Sequence, residues 1–183
     1  MDVFAESCVP MWALESRLQQ NPFFEYAAQN WAYHIQDTQQ SVEDLALKLL
    51  RDDRKASTSS HVLFYRGECG FSQQFCGIHL VAYFGLKDIM VRLLEEKDPD
   101  IKDSFGRTPL SYAMERGNAR VAELLLDYNA DLNSVCKYGL TPFFRGIEGG
   151  SAAAVQILLA KGVKVDNRYK LVRTSNHMRI DLY

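Results

Sequence analysis

The residues most suited to chemistry in this chain are cysteine and histidine side chains near position 76. Cys76 and His79 have the spacing Cys-x-x-His, and Cys69 precedes them. Zinc prefers thiolate and imidazole ligands, and a Cys–His pair can also act as a nucleophile with its base. The group has no further ligand at a usual spacing and no recognisable oxyanion hole. A metal-binding protein or a small hydrolase centred on Cys76 and His79 therefore stands as one alternative function.

The sequence gives no strong signal for nucleotide binding, and its charge argues against some classes of partner. No GxxxxGK[ST] motif occurs, and the glycine-rich run at 146–150 follows a predicted helix rather than a strand. We therefore expect no cofactor. The net charge is −2, from 21 basic and 23 acidic residues, and the basic run at 170–179 is short. This balance predicts neither nucleic acid nor an anionic membrane as the main partner.

The sequence carries no sign of secretion or of membrane insertion. Asp2 and Glu6 occupy the place where a signal peptide is positively charged, and no run of 18 apolar residues occurs. The four cysteines are irregularly spaced, which fits a reducing compartment better than a disulfide framework. We expect a cytoplasmic protein, with the nucleus as a further location.

A pattern repeats along the second half of the chain. FGRTPLSYAMERG at 105–117 and YGLTPFFRGIEGG at 138–150 lie 33 residues apart, and the pairs Leu-Leu at 125–126 and 158–159 keep the same spacing. A shift of 32 residues brings CGIHLVAYFG at 76–85 onto the same template. A fixed period of this length is typical of a protein built from stacked repeats.

Each repeat has the signals of two short helices. Thr108 is a good N-cap, Pro109 suits the first helical position, and Gly117 suits a left-handed turn at the helix end. A second helix follows, with one apolar face formed by Val121, Ala122, Leu125 and Leu126. Two such helices cannot bury their faces alone, so the units must stack. The predicted fold is all-α.

These repeats resemble the ankyrin repeat, and the resemblance implies a solenoid of about three units. The predicted units are 70–102, 103–135 and 136–170. The family's Thr-Pro-Leu-His is CGIH, TPLS and TPFF here, so only His79 fills the histidine position, where the side chain typically bonds backbone between neighbouring units. This implies a structural role for Cys76 and His79. Gly146 and Ile147 replace a usual pair of alanines, which predicts a looser helix.

The flanking segments predict a cap, a linker and a tail. Residues 1–51 are expected to form an N-terminal helical cap, with one helix beginning at Asn21 and Pro22 and a second at Ser41. The second has an apolar face at Val42, Leu45, Ala46, Leu49 and Leu50. The segment NPFFEYAAQNWAYHIQ resembles the region before ankyrin arrays in fungal NACHT proteins. Residues 52–69 are predicted to be a linker whose serines at 57–60 are candidates for phosphorylation, and 171–183 an aborted fourth repeat or tail.

The resemblance also implies where function lies. Ankyrin repeats present a concave surface formed by the turns and the ends of the inner helices. The residues carried over to that surface are Tyr83, Phe84, Ser104, Phe105, Arg107, Glu115, Arg116, Lys137, Tyr138, Leu140 and Glu148. The expected function is non-enzymatic binding of a protein partner by a monomer, unless the open C-terminal end self-associates. The alternative is a sensing or autoinhibitory arm of a larger fungal NACHT-type signalling protein.

Overall fold

The computed structural model describes residues 40–53, 56–57 and 74–163, and within them every regular element is a helix. The helices are α1 Gln40–Arg51, α2 Gly77–Phe84, α3 Lys87–Leu94, α4 Pro109–Glu115, α5 Ala119–Asp127, α6 Pro142–Glu148 and α7 Ala152–Ala160. The inner helices α2, α4 and α6 pack side by side, and the outer helices α3, α5 and α7 form a second row behind them. The predicted all-α stack of helix pairs is confirmed.

The predicted start and stop signals act at most of the helix ends. Thr108 adopts an extended backbone, and its hydroxyl oxygen accepts a hydrogen bond from the backbone N–H of Ser111, as an N-cap should. Thr141 has the same backbone conformation but makes no side-chain cap bond. Gly117 has φ of +71°, which supplies the left-handed turn between α4 and α5.

Close backbone contacts set the spacing between neighbouring units. A Cβ on Gly149 would lie 2.0 Å from the carbonyl oxygen of Glu115, so only glycine lets α6 approach α4 at that point. Gly146 is buried, and a Cβ there would lie 2.6 Å from the terminal methyl of Met114. The presence of glycine at 146 is therefore explained by packing, because the lack of a side chain leaves room for the long side chain of Met114 on the neighbouring inner helix.

Helix α1 packs against α2 and α3 at the N-terminal end of the stack. Leu47 and Leu50 are buried, whereas Leu49, predicted to lie on the apolar face, is 36% exposed. A Cβ on Gly77 would lie 2.0 Å from the carbonyl oxygen of Leu50, so α1 and α2 touch backbone to backbone. Ion pairs surround this apolar contact, joining Arg51 to Glu96, Asp44 to Arg92 and Asp53 to Lys97.

Several sequence predictions fall on residues outside the described part of the chain. These are the helix expected after Asn21, Cys69, the serines at 59 and 60, and the tail at 171–183. The start of the predicted linker is described, and it contacts the stack: Ala56 is fully buried and its N–H donates to the carbonyl of Asp52. No helix in the described residues is both long enough and apolar enough to cross a bilayer.

Candidate partner-binding surface

The turn that begins the second repeat is held by a buried carboxylate. Asp103 is 3% exposed, and its Oδ1 accepts hydrogen bonds from the backbone N–H groups of Phe105 and Arg107, at 2.9 and 2.8 Å. Its Oδ2 accepts a 2.6 Å bond from the hydroxyl of Tyr112 on α4. Burial raises the pKa of Tyr112, and the Asp103 carboxylate raises it further, so this hydroxyl remains a donor. Asp103 thus fixes the turn, with Phe105 near its tip, against α4.

Arg107 is buried, contrary to the expectation that it faces a partner. The side chain is 8% exposed, its Cζ lies 4.2 Å from the centroid of the Tyr112 ring, and it forms an ion pair with Glu115. A guanidinium is weakly hydrated and stacks well on an aromatic face, which makes this burial tolerable. Leu140, in the matching position of the third repeat, is also buried. Both residues therefore belong to the packing of the turns rather than to the exposed surface.

The first and second repeats meet in an aromatic–cation contact at the ends of their inner helices. The guanidinium carbon of Arg116 lies 4.6 Å from the centroid of the Tyr83 ring. The ring of Phe84 packs edge to face on Tyr83, with centroids 5.2 Å apart. Arg116 is exposed, and the two aromatic rings are half-buried. These side chains thus form one contiguous patch across α2 and α4.

The turn tips of the second and third repeats also meet through aromatic rings. The rings of Phe105 and Tyr138 have centroids 6.0 Å apart, and the backbone N–H of Lys137 donates to the carbonyl of Phe105 at 2.8 Å. Tyr138 is 53% exposed, which is high for so large a side chain. We call the set Tyr83, Phe84, Phe105, Arg116 and Tyr138 the aromatic strip.

The remaining predicted residues differ in exposure and in their charged partners. Ser104 is half-buried, and Lys137 and Glu148 are exposed. Glu148 pairs with Arg145 on the same helix, at 3.2 Å. Glu115 is partly exposed at the end of α4, where it receives Arg107. The Arg107–Glu115 pair connects the turn that carries Phe105 with the helix end that carries Arg116.

The structure gives His79 a structural role, as the resemblance implied. The ring is fully buried. Its Nδ1 accepts from the backbone N–H of Cys76 at 3.2 Å, so Nε2 carries the proton and donates to the carbonyl oxygen of Ile101 at 3.1 Å. The second bond reaches from the first unit to the segment that leads into the next. Burial lowers the pKa of His79 to about 4, which keeps the ring neutral.

This environment works against both chemical alternatives for Cys76 and His79. The Cys76 sulfur lies 3.0 Å from His79 Nδ1, and burial raises the pKa of the thiol to about 11. Nucleophilic attack needs a thiolate, which burial disfavours here. Both imidazole nitrogens already have partners. Among the described residues, no group of three or more side chains could hold a metal ion.

Asn118 positions part of the aromatic strip, a role that was not predicted from the sequence. Its Nδ2 donates to the carbonyl oxygens of Ala82 and Tyr83, at 2.8 and 2.9 Å, across the boundary between the first two units. These carbonyls belong to the last turn of α2, where helices lack internal donors. The only sequence signal is a short polar residue directly after Gly117, a place that would ordinarily indicate a cap for its own helix.

Comparisons with known proteins identify the repeats. A family model described as "Ankyrin repeats (3 copies)" matches residues 78–169. Delta-latroinsectotoxin-Lt1a of Latrodectus tredecimguttatus is 32% identical over 107 residues, which are 55% of this chain and 9% of the toxin. Alpha-latrotoxin-Lh1a of Latrodectus hasselti is 37% identical over 73 residues, or 39% of this chain and 5% of the toxin. The chain thus spans less than a tenth of the length of either toxin.

A solved structure matches as well. The crystal structure of the human ASB11 ankyrin repeat domain shows 30% identity and a TM-score of 0.46, and it covers 48% of this chain and 40% of that one. The family match begins at residue 78, so the resemblance of residues 21–36 to the segment in NACHT proteins stays a prediction. The match takes in all the helix pairs α2–α3, α4–α5 and α6–α7, about half of the chain. Because the family model matches half of its length, the chain belongs to the ankyrin-repeat family.

Proposed function

We propose that this chain is a non-enzymatic module that binds a protein partner through the aromatic strip. Ankyrin repeats generally mediate protein–protein interactions. The observation that carries the proposal is the pairing of Phe105 with Tyr138 at the turn tips, where Tyr138 is 53% exposed. Aromatic and arginine side chains supply much of the binding energy at protein interfaces, and here three successive repeats contribute such side chains.

The surroundings of the strip support this reading. An interface usually has an apolar centre and a polar rim. Here the exposed Lys137 precedes Tyr138, Glu148 is exposed at the end of the inner helix α6, and the exposed Arg116 adds a cation within the strip. The buried Asp103 and the Arg107–Glu115 pair hold the turn and the helix end in fixed positions. A partner would therefore meet a surface that is already formed.

The test is a double substitution, Phe105→Ala with Tyr138→Ala. Proteins captured from the native cell by the wild-type chain are compared with those captured by the variant. Hot-spot side chains each contribute about 2 kcal/mol or more, so we expect at least a hundredfold loss of affinity for the captured partner. Thermal unfolding of the variant should stay close to that of the wild type, since both side chains are partly exposed.

Tyr128→Ala serves as the matched control. Tyr128 is a 38% exposed aromatic residue directly after the outer helix α5, and it is not part of the aromatic strip. Capture by this variant should equal capture by the wild type. Unchanged capture by the Phe105/Tyr138 double variant would exclude the aromatic strip as the binding surface.

We further propose that the module acts as a monomer in the cytoplasm or the nucleus. The irregular cysteine spacing supports a reducing compartment. The alternative, a sensing or autoinhibitory arm of a larger fungal NACHT-type protein, uses the same strip against a domain of its own polypeptide. Sequencing the full transcript separates the two, because the alternative requires a nucleotide-binding module encoded upstream.

A further inference from the structure

We propose that the segment of the partner that meets the strip is an extended, acidic peptide. The inference rests on the proposed function and adds the chemical class of the ligand. The inference compares the charged groups near the strip: the acidic groups are already paired within the protein, and two basic groups are not. The charge that this surface offers to a partner is positive, opposite in sign to the net charge of the chain, which is −2.

The acidic groups beside the strip are engaged within the protein. The carboxylate of Glu115 forms the ion pair with the buried Arg107. Asp103 is buried and accepts bonds from the Tyr112 hydroxyl and two backbone N–H groups. Glu148 pairs with Arg145. Each carboxylate thus has its charge balanced or its oxygens occupied before a partner arrives.

Two cations, Arg116 within the strip and Lys137 next to it, form no ion pair with the described residues. Arg116 is exposed and stacks on the Tyr83 ring, which occupies one face of its guanidinium and leaves the N–H edges for an acceptor. Lys137 is exposed at the turn tip, where its backbone N–H bonds to Phe105 but its ammonium forms no ion pair. The surface presented to a partner is therefore aromatic and positively charged.

The geometry favours an extended peptide with carboxylates at intervals. Packed helices lie about 8–10 Å apart, and an extended chain advances about 3.3 Å per residue, so roughly three peptide residues span one repeat. Arg116 ends an inner helix of the second repeat, and Lys137 lies at the turn of the third. A peptide that crosses from the second repeat to the third can place one carboxylate near each cation, while its other residues contact the aromatic rings.

A nucleic acid or an anionic membrane fits this surface less well. Arg116 and Lys137 together would neutralise only about two phosphates, which gives little of the electrostatic affinity on which such binding depends. The chain as a whole is also negative, so it would be repelled from a polyanion at longer range. Two carboxylates of a peptide, by contrast, match two cations and can use the rings as well.

The test selects from a display library of random twelve-residue peptides on the full immobilised chain. The wild type should enrich peptides that carry at least two Asp or Glu residues together with apolar residues. The variant Arg116→Glu with Lys137→Glu should lose this enrichment, and an acidic peptide selected on the wild type should bind it at least tenfold more weakly by fluorescence anisotropy.

Two matched variants separate local from overall charge. Lys87→Glu with Arg120→Glu makes the same change in net charge at exposed positions of the outer helices, and it should keep the acidic preference. Arg116→Lys with Lys137→Arg retains both cations and should also keep it. Circular dichroism melts of all three variants confirm that each one folds.

The outcomes distinguish this inference from the proposed function. Peptides that lose binding in the Phe105/Tyr138 double variant but show no acidic preference would overturn the acidic class and leave the binding surface in place. An equal effect of both charge reversals, or enrichment of no peptide, would also overturn it. So would tighter binding to duplex DNA or to phosphatidylserine vesicles than to the selected peptide.

Discussion

Replacing Gly149 with alanine tests whether backbone contact sets the spacing of the inner helices. Helix propensity alone predicts a gain, because Gly149 has φ of −73° and alanine is favoured over glycine in a helix by up to about 1 kcal/mol. The structure predicts a loss. The new Cβ would lie 2.0 Å from the carbonyl oxygen of Glu115, and contacts under 3.0 Å are essentially never seen for such an atom.

The magnitude follows from the movement that relieves the clash. Helices α4 and α6 would have to separate locally by about 1 Å, a gap that forfeits a quarter to a half of the dispersion energy of the contacts affected. Overpacking of this kind costs about 3 kcal/mol at the upper end of the usual range, since the obstacle is backbone. After the propensity gain of about 1 kcal/mol, we expect Gly149→Ala to lower the free energy of unfolding by about 2 kcal/mol.

Gly146→Ala is the matched control in the same helix. Its Cβ would meet the terminal methyl of Met114 at 2.6 Å and a methyl of Val155 at 3.1 Å. The Met114 side chain is flexible and can move, so we expect a change within about 1 kcal/mol of the wild type. Urea unfolding followed by circular dichroism should show a midpoint about 1 M lower for Gly149→Ala alone. Equal or greater stability of Gly149→Ala than of Gly146→Ala would refute the reasoning.

Two further variants test the contacts between the first and second units. Asn118→Ala removes two hydrogen bonds to the end of α2, each contributing about 1 kcal/mol, and should lower the thermal midpoint by about 4–8 °C. Ser151→Ala loses only a local helix cap, and a smaller effect of Asn118→Ala than of Ser151→Ala would contradict this prediction. His79 has a pKa of about 4, below the 6.5 of an unfolded chain, so below pH 6.5 the unfolded state takes up a proton that the folded state refuses. The free energy of unfolding should therefore be highest above pH 6.5 and fall towards pH 4, with about 2 kcal/mol lost by pH 5. In urea titrations at pH 7 and pH 5, His79→Gln should remove this difference in stability. An unchanged difference in the variant would show that other groups cause it.

The sequence was sufficient for features that depend on neighbours along the chain. Pro109, Pro142 and Gly117 mark the helix boundaries by backbone preferences alone, and the structure places those boundaries as predicted. The histidine position at His79 was identified through the family resemblance, and its bond to Ile101 agrees. The stack of helix pairs follows from the same signals, because each unit repeats them.

Features that depend on how side chains and helices pack in the folded protein could not be predicted from the sequence. Arg107 was expected on the surface because the repeat pattern does not show that the turn folds back, so that Tyr112 presents a ring face to Arg107 and Glu115 pairs with it. The exposure of Leu49 depends on how α1 rotates against α2, which its own periodicity does not fix. The bonds of Asn118 cross 35 and 36 residues, beyond any local pattern.

The internal pairing of the strip has a consequence for the entropy of association. Ordering a long side chain at an interface costs about 0.5–1.5 kcal/mol each. Arg116 already rests on Tyr83, and Phe105 already rests on Tyr138, so part of their rotamer freedom is lost on folding rather than on binding. Such a surface adapts poorly to ligands of different shape. It should therefore favour a narrow set of partners, in contrast to flexible methionine-rich grooves that repack around many.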